Sequence, residues 1–422
     1  MHLTRAQLSW ISYDMANAGF ALIVRTVYAP LFFKQYSAVG MNETFATGIW
    51  GYVSAGAGLA AGILAPWLGS VADANSERKR YLSLFLCLGL AATIGLCFTG
   101  RGDAYIMLAI YFIALVSYMA GNSFYDALLP SVSTRGGSDK LSSLAYAWGY
   151  IGGVIPFLIC LAISLSMKDS PVEAFRFAFI TTALWWGVLS LPLFRLVRER
   201  KRKNSLKINP FDGFRQLYRT ACEVKKHRNA LLFLVAYFLY IDGVGTILLM
   251  ATPISVDIGI PANYLLLTIL ALQFLAFPFT ILYGKLSHRF GARKMLYVAI
   301  GVYVVIALLV GLIAYIDDPG AKRGVFIFAA FLIGTSQGGI QSLSRSFFMR
   351  LIPASQAAEF FGFYNIFGKF TTVLGPVLVG VSGWLFNSSE LGIALLAVPF
   401  LLGATLLAKV KLPTEPKELR HV

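Results

Sequence analysis

Three ionisable residues, Arg25, Asp242 and Lys369, fall near the middle of long apolar runs. A charge at mid-bilayer costs about 2.5–3.5 kcal/mol on insertion scales, so each of them needs a cavity or a partner. Polar residues accompany them at helical spacing. Asp14 and Arg25 are eleven residues apart, close to three α-helical turns, with Ala18 and Ala21 between them and Asn17 one turn from Asp14. On an α-helix this is one face about 16 Å long. Tyr118, Asn122 and Asp126 repeat the device at i, i+4 and i+8, as do Gln337, Gln341 and Arg345. Tyr240, Asp242 and Thr246 form a further stripe, Asn365, Lys369 and Thr372 another, and Tyr146 and Tyr150 a shorter one. The chemistry these types suit is recognition of a charged or zwitterionic small molecule. Arg25 or Lys369 would meet a carboxylate or phosphate, and Asp242 an amine or a proton. Asp14, Asp126, Arg345 and Glu359 lie nearer the ends of their runs and read as an inner gate. Two bland alternatives stay open at this level: Arg25 with Asp242 as a permanent buried ion pair, and Asp126 with Arg345 as a fixed clamp.

Covalent chemistry has no comparable support. The four histidines, His2, His227, His288 and His421, fall in loops or tails, and no phosphate-loop, dinucleotide-fold, zincin or nucleophile-elbow pattern occurs. The chain is expected not to be an enzyme and to hold no metal and no cofactor. Cys87, Cys97 and Cys160 lie in apolar runs and Cys222 in a basic loop, so all four read as packing residues.

These residues must be held by elements that lipid can solvate. Of 422 residues, 57% are hydrophobic and 13% charged, and the mean hydropathy is +0.70, which leaves too little polar surface to cover a soluble globule of this size. The net charge of +16 would suggest nucleic acid in a soluble protein. Here the cations sit between apolar runs, so no nucleic-acid partner is expected. A helix needs about 20 residues to cross the hydrocarbon, and twelve spans are predicted: 8–36, 45–72, 81–100, 104–128, 142–167, 174–197, 230–252, 262–286, 295–316, 324–350, 358–385 and 388–410. Lys and Arg concentrate in the even connections, which predicts that both termini are cytoplasmic. The organisation expected is a six-helix bundle over 1–197, a basic linker over 198–229, a second bundle over 230–410 and a tail over 411–422. In the linker Phe211, Phe214, Leu217 and Tyr218 are spaced for an interfacial helix.

An internal repeat sets the architecture. Gly69, Asp73, Arg78 and Lys79 after the second span align without a gap with Gly284, His288, Arg293 and Lys294 after the eighth, at an offset of 284 − 69 = 215. YAWGYIGGVIP (146–156) corresponds with YNIFGKFTTVLGP (364–376), and LLPSVS with LIPASQ. Two similar halves are what a parallel-repeat carrier requires, since its solute site lies where the halves rock against each other. The paired loops resemble the G-x-x-x-D-R-x-G-R-R signature of the major facilitator superfamily. That resemblance implies an all-α membrane fold of two pseudo-symmetric six-helix bundles. It also implies a conformational lock carried by Asp73, Arg78, Lys79, Arg289, Arg293 and Lys294, with His288 in place of the second acid.

Within the superfamily, YDMANAGF (13–20), FYDALLP (124–130), GYIGG (149–153), YIDGVGTI (240–247), SLSRSFFMRLIP (342–353) and EFFGFYNIFGK (359–369) look like successive signatures of the vacuolar-effluxer-like branch. Met15, Asp126 and Ile241 depart from that branch's usual Trp, Asn and Asn. The resemblance implies a secondary transporter of an amino-acid-like solute that works by alternating access, with spans 1, 4, 7 and 10 lining the pathway. Its partners would be the solute, membrane lipids and, as a candidate co-substrate, protons. A monomer in a bacterial inner membrane is expected. A lipid or lysolipid carrier or scramblase of the same fold, and a receptor without transport, stay open as alternatives.

Overall fold

The computed structural model describes residues 3–75, 77–132, 138–167, 170–199, 227–352, 364, 368 and 373–411, with backbone alone at 65, 66, 70, 71, 73–75, 130, 138–140, 142, 143, 146, 147 and 288. The apolar runs fold as helices because in lipid only internal hydrogen bonds can satisfy the backbone. They are α1 (Arg5–Ser37), α2 (Glu43–Asn75), α3 (Arg78–Gly95), α4 (Ala104–Ala127), α5 (Ser138–Ser166), α6 (Pro171–Leu196), α7 (Arg228–Asp257), α8 (Ala262–Phe290), α9 (Ala292–Leu312), α10 (Pro319–Met349), α11 (Leu374–Phe386) and α12 (Ser389–Lys409). Apart from α11, all of them contain a stretch long and apolar enough to cross a membrane. The expected eleventh span, 358–385, is described continuously only from 373 onward, and the expected interfacial helix at 211–218 lies outside the described residues. α12 is interrupted at Leu396, three residues before Pro399, whose ring cannot continue the hydrogen-bond ladder.

Local signals place several ends. Thr4 and Gln7 form a reciprocal capping box at the start of α1, at 3.2 and 2.9 Å. Asp318 accepts from the Ala321 amide at 2.6 Å, with Pro319 opening α10. Gly291, at φ 89°, turns the chain between α8 and α9 inside the repeated loop.

Equivalent helices pack in the same way in both halves. α1 lies on α5 and α6, α3 on α4 and α2 on α4; correspondingly α7 lies on α12, α9 on α10 and α8 on α10. The resulting bundles, α1–α6 and α7–α12, meet along α2 with α11, α5 with α8, and α1 with α7. Small residues set these approaches. A Cβ on Gly152 would lie 2.4 Å from Met15 Cα, so the glycine-rich stretch of α5 lets it press onto α1.

The winding of α1 departs from expectation. Residues Ala21–Tyr28 form a π-helix, as do Phe33–Ser37. The α-helical spacing that aligns Asp14 with Arg25 therefore stops at Phe20, because a π-helix carries more residues per turn and rotates every later side chain about the axis. Asp14 faces Gly149 of α5, whereas the Arg25 charge acts on Tyr111 and Tyr118 of α4.

Candidate transport site

The centre of the first bundle is a polar cluster on α1, α4 and α6. Asn17 donates to Asn122 Oδ1 at 2.5 Å and accepts from Trp186 Nε1 at 2.9 Å. Phe20 packs over Tyr118 and Trp186, with ring centres 5.0 and 4.7 Å apart. Arg25 follows, half-buried, and among the described residues no carboxylate reaches it. The permanent Arg25–Asp242 pair is thus not formed. Toward the termini, Asp14 and Asp126 stand close enough for each charge to act on the other, beside Tyr13 and Tyr125, whose rings are 4.8 Å apart. Asp126 is exposed, as is Arg345 on α10.

The second bundle uses its polar residues differently. Asp242, midway along α7 and 1% exposed, accepts from the backbone amides of Val373 at 3.2 Å and Gly375 at 2.7 Å. Its carboxylate therefore caps the N-terminal end of α11, where orphan amides and the helix dipole favour an anion. Thr246 bonds back to the Asp242 carbonyl at 2.8 Å and fills the space over Gly375, where a Cβ would lie 1.9 Å from its Oγ1. The Tyr240 hydroxyl meets Ser344 at 2.6 Å. Tyr237 stacks on Tyr364 at 4.3 Å, and the Arg345 charge acts on both rings. Gln337 on α10 keeps a buried Oε1 without a partner, and Gln341 and Tyr150 are half-buried on α10 and α5. Asn365, Lys369 and Glu359 lie outside the described residues, as do the side chains of Tyr146, Asp73 and His288.

The cations of the repeated loop act inside their own bundles. Arg78 donates to the Ala127 carbonyl at 2.6 Å, and Lys79 Nζ to the carbonyls of Phe194 at 2.7 Å and Val197 at 2.8 Å. The Lys79 amide donates to Glu199, whose carboxyl is pushed up by burial against the opposing pull of Lys79 and Arg78. In the second copy Arg293 donates to the Val410 carbonyl and lies 5.8 Å over the Phe347 ring. Arg289 stands over Phe290, and Lys294 is exposed. Both loops thus bring cations to the C-terminal carbonyls of helices in their own half, where the dipole favours them.

At the end of the bundles away from the termini lies a cluster that helical spacing along the sequence does not reveal. Lys34 and Asp257, from opposite bundles, form an ion pair with side chains only 2% and 8% exposed. Lys34 also donates to Thr47 at 2.9 Å and to the Glu43 carbonyl at 2.6 Å, and Thr47 donates to Asp257 at 2.5 Å. Thr252 donates to the Thr26 carbonyl at 2.5 Å and Thr44 to the Asn387 carbonyl at 3.4 Å, again across the bundles. Close backbone approach seals the seam: a Cβ on Gly51 would lie 2.8 Å from the Pro376 carbonyl. Lys34 lies inside the expected first span and Asp257 just past the seventh, and each reads alone as a cation or an acid at a membrane surface. Only the pairing of the halves reveals their joint role.

Comparison with known proteins agrees with this geometry. Residues 41–419 match the family described as vacuole effluxer Atg22 like. An uncharacterized MFS-type transporter of Bacillus subtilis (strain 168), YxiO, is 37% identical over 416 residues, covering 96% of this chain and 95% of that one. Autophagy-related protein 22-2 of Aspergillus clavatus is 27% identical over 267 residues, 58% of this chain and 43% of the fungal protein. Among solved structures, a D-xylose-proton symporter superposes with a TM-score of 0.70 at 13% identity, covering 97% of this chain and 98% of that one. The nucleoside transporter NupG does so with a TM-score of 0.66 at 13% identity, covering 96% and 98%. At these identities the likeness shows the fold, with its two bundles. The chain is a multi-pass membrane protein and not an enzyme, and it belongs to the vacuole effluxer Atg22-like family of MFS-type transporters.

Proposed function

We propose that the protein moves a small charged or zwitterionic solute by rocking its two bundles about a site near Arg25. The observation that carries this reading is the contrast between two cations within α1. Lys34 is paired across the bundle seam, whereas Arg25 meets no carboxylate among the described residues. An ion left so inside a membrane protein is suited to a ligand's opposite charge. Asn17, Asn122, Tyr118 and Trp186 supply neutral polar neighbours, with Tyr150, Gln337 and Gln341 as further candidates and Lys369 as a second cation. Asp242 has both carboxylate oxygens engaged by the α11 backbone, so in this reading it holds the start of α11 in place of meeting the solute's amine. Asp14 and Asp126 are the candidates for a coupling proton, supported by their mutual proximity. With the termini cytoplasmic, as the distribution of cations suggests, the Lys34–Asp257 end faces outward and is shut, and the membrane is the bacterial plasma membrane.

The test is flux into proteoliposomes for amino acids, organic acids, sugars and nucleosides, with and without a pH gradient. Concentrative uptake that needs the gradient and disappears in Arg25→Gln is expected. Flux of every solute at the rate of empty liposomes would end the transport reading, and rapid exchange of a fluorescent phospholipid would replace it with lipid handling.

A further inference from the structure

Tyr111, on which the Arg25 charge acts, belongs to a group of three polar side chains for which the packing closes no hydrogen bond of normal geometry. The indole N–H of Trp50, the hydroxyl of Ser54 and the hydroxyl of Tyr111 are each buried with no hydrogen bond, in residues 0%, 1% and 0% exposed. They belong to one place. The Trp50 and Tyr111 rings stack with centres 4.2 Å apart. Ser54 is one helical turn from Trp50 and faces the Tyr111 hydroxyl without closing a bond of normal geometry, and the Arg25 charge acts on Tyr111. Buried polar groups are almost always paired, and an orphan costs about 1–3 kcal/mol. Three such groups, one of them under the charge of Arg25 on a π-helical stretch of α1, have the character of a site prepared for a ligand. Such local distortions of a helix concentrate at functional sites.

Resting on the transport reading above, we infer that Arg25, Tyr111, Ser54 and Trp50 form a subsite for the carboxylate end of the solute. Every one of these groups can donate: guanidinium and indole only donate, and each hydroxyl can turn its proton inward. A carboxylate is the complementary partner, since it only accepts and has room for about four donors. Its single negative charge matches the single cation, whereas a dianionic phosphate would leave one charge uncompensated in a low-dielectric site. Thr47, Trp50 and Ser54 lie on successive turns of α2, so the hydroxyl that helps close the Lys34–Asp257 end and two of the orphan groups ride on one rigid element. Opening that end therefore moves the subsite's donors with it, which couples occupancy to the closing contacts.

The experiment is thermal stabilisation and equilibrium binding of the purified full-length protein, with three probe sets. These are the twenty L-amino acids and a series of monocarboxylic acids, their primary amides, and alkyl phosphates. A carboxylate is expected to raise the melting temperature while its amide and the matching phosphate do not. Tyr111→Phe and Ser54→Ala each remove one donor with little change of shape, and Trp50→Phe removes the indole N–H together with part of the ring. Each is expected to weaken that binding about ten- to a hundredfold, the effect of one hydrogen bond to a charged group. Unchanged affinity in all three variants would overturn the subsite, leaving Arg25 to act alone and the orphans to water. Preferential binding of amides or phosphates would overturn the assigned chemistry. Binding of no probe, alongside measurable flux of an uncharged solute by the same preparation, would overturn the subsite and leave transport standing.

Discussion

In the first bundle Arg25 on α1 keeps its charge free of any carboxylate among the described residues and acts on the rings of Tyr111 and Tyr118. In the second, Asp242 on α7 spends both carboxylate oxygens on the backbone of α11. The packing partners of the two helices are equivalent: α1 lies on α5 and α6, and α7 on α11 and α12. The polar contacts to the fourth helix of each half are equivalent too, Asn17 with Asn122 and Tyr240 with Ser344. One scaffold thus carries two intramembrane charges in different settings, one without a carboxylate partner among the described residues and one consumed in holding a helix end. A duplicated fold need not share its recognition chemistry evenly, and in the proposed reading the solute's counter-charge, Arg25, belongs to the first bundle.

The contrast can be broken most forcefully where the halves join. Lys34→Met or Asp257→Leu alone leaves a buried charge unpaired, which is expected to cost about 3–5 kcal/mol against the closed seam. The double variant is expected to recover most of it. Labelling of a cysteine placed at Ser255, which is fully buried here, reads the seam directly. It is expected to be fast in both single variants and slow in the parent and the double variant, and equal rates in all four would show that the pair does not hold the end shut.

Asp242→Leu is expected to rank next, because it strands the buried Gly375 amide and the half-buried Val373 amide, at about 1–3 kcal/mol for the buried one; a lower melting temperature and reduced yield of folded protein would register it. Arg25→Gln is the counterpart. It is expected to leave melting unchanged or raise it, since no carboxylate partner among the described residues is lost, while abolishing uptake. If Arg25→Gln destabilised the protein as much as Asp242→Leu, the distinction between a ligand charge and a structural one would be lost.

Smaller effects sharpen the comparison at the helix contacts. Asn17→Leu removes the partners of both Asn122 and Trp186 and is expected to cost about 1–3 kcal/mol. Tyr240→Phe leaves Ser344 its bond to the Ile340 carbonyl at 2.6 Å and is expected to cost about 1 kcal/mol or less. Chemical or thermal unfolding of the two variants side by side orders them.

Much of this molecule was legible along the chain. Length and hydropathy of the runs determine the helices, since lipid leaves the backbone no other way to satisfy itself. The spacing repeated at 215 residues determines two bundles of like design, and the signature motifs determine the family. The polar stripes on α1, α4, α7 and α10 were visible as well, because α-helical periodicity is a local property of sequence. The fate of each charge was decided only in three dimensions. Asp242 and Arg25 look alike as intramembrane ions, but one is engaged by the amides of α11 while the other meets no carboxylate among the described residues. The π-helical winding of Ala21–Tyr28 turned Arg25 off the face it was expected to share with Asp14. Lys34 and Asp257, and Trp50, Ser54 and Tyr111, carry no motif at all. Their roles arise from contacts between segments far apart in the chain, and pairing at such range depends on how the helices cross.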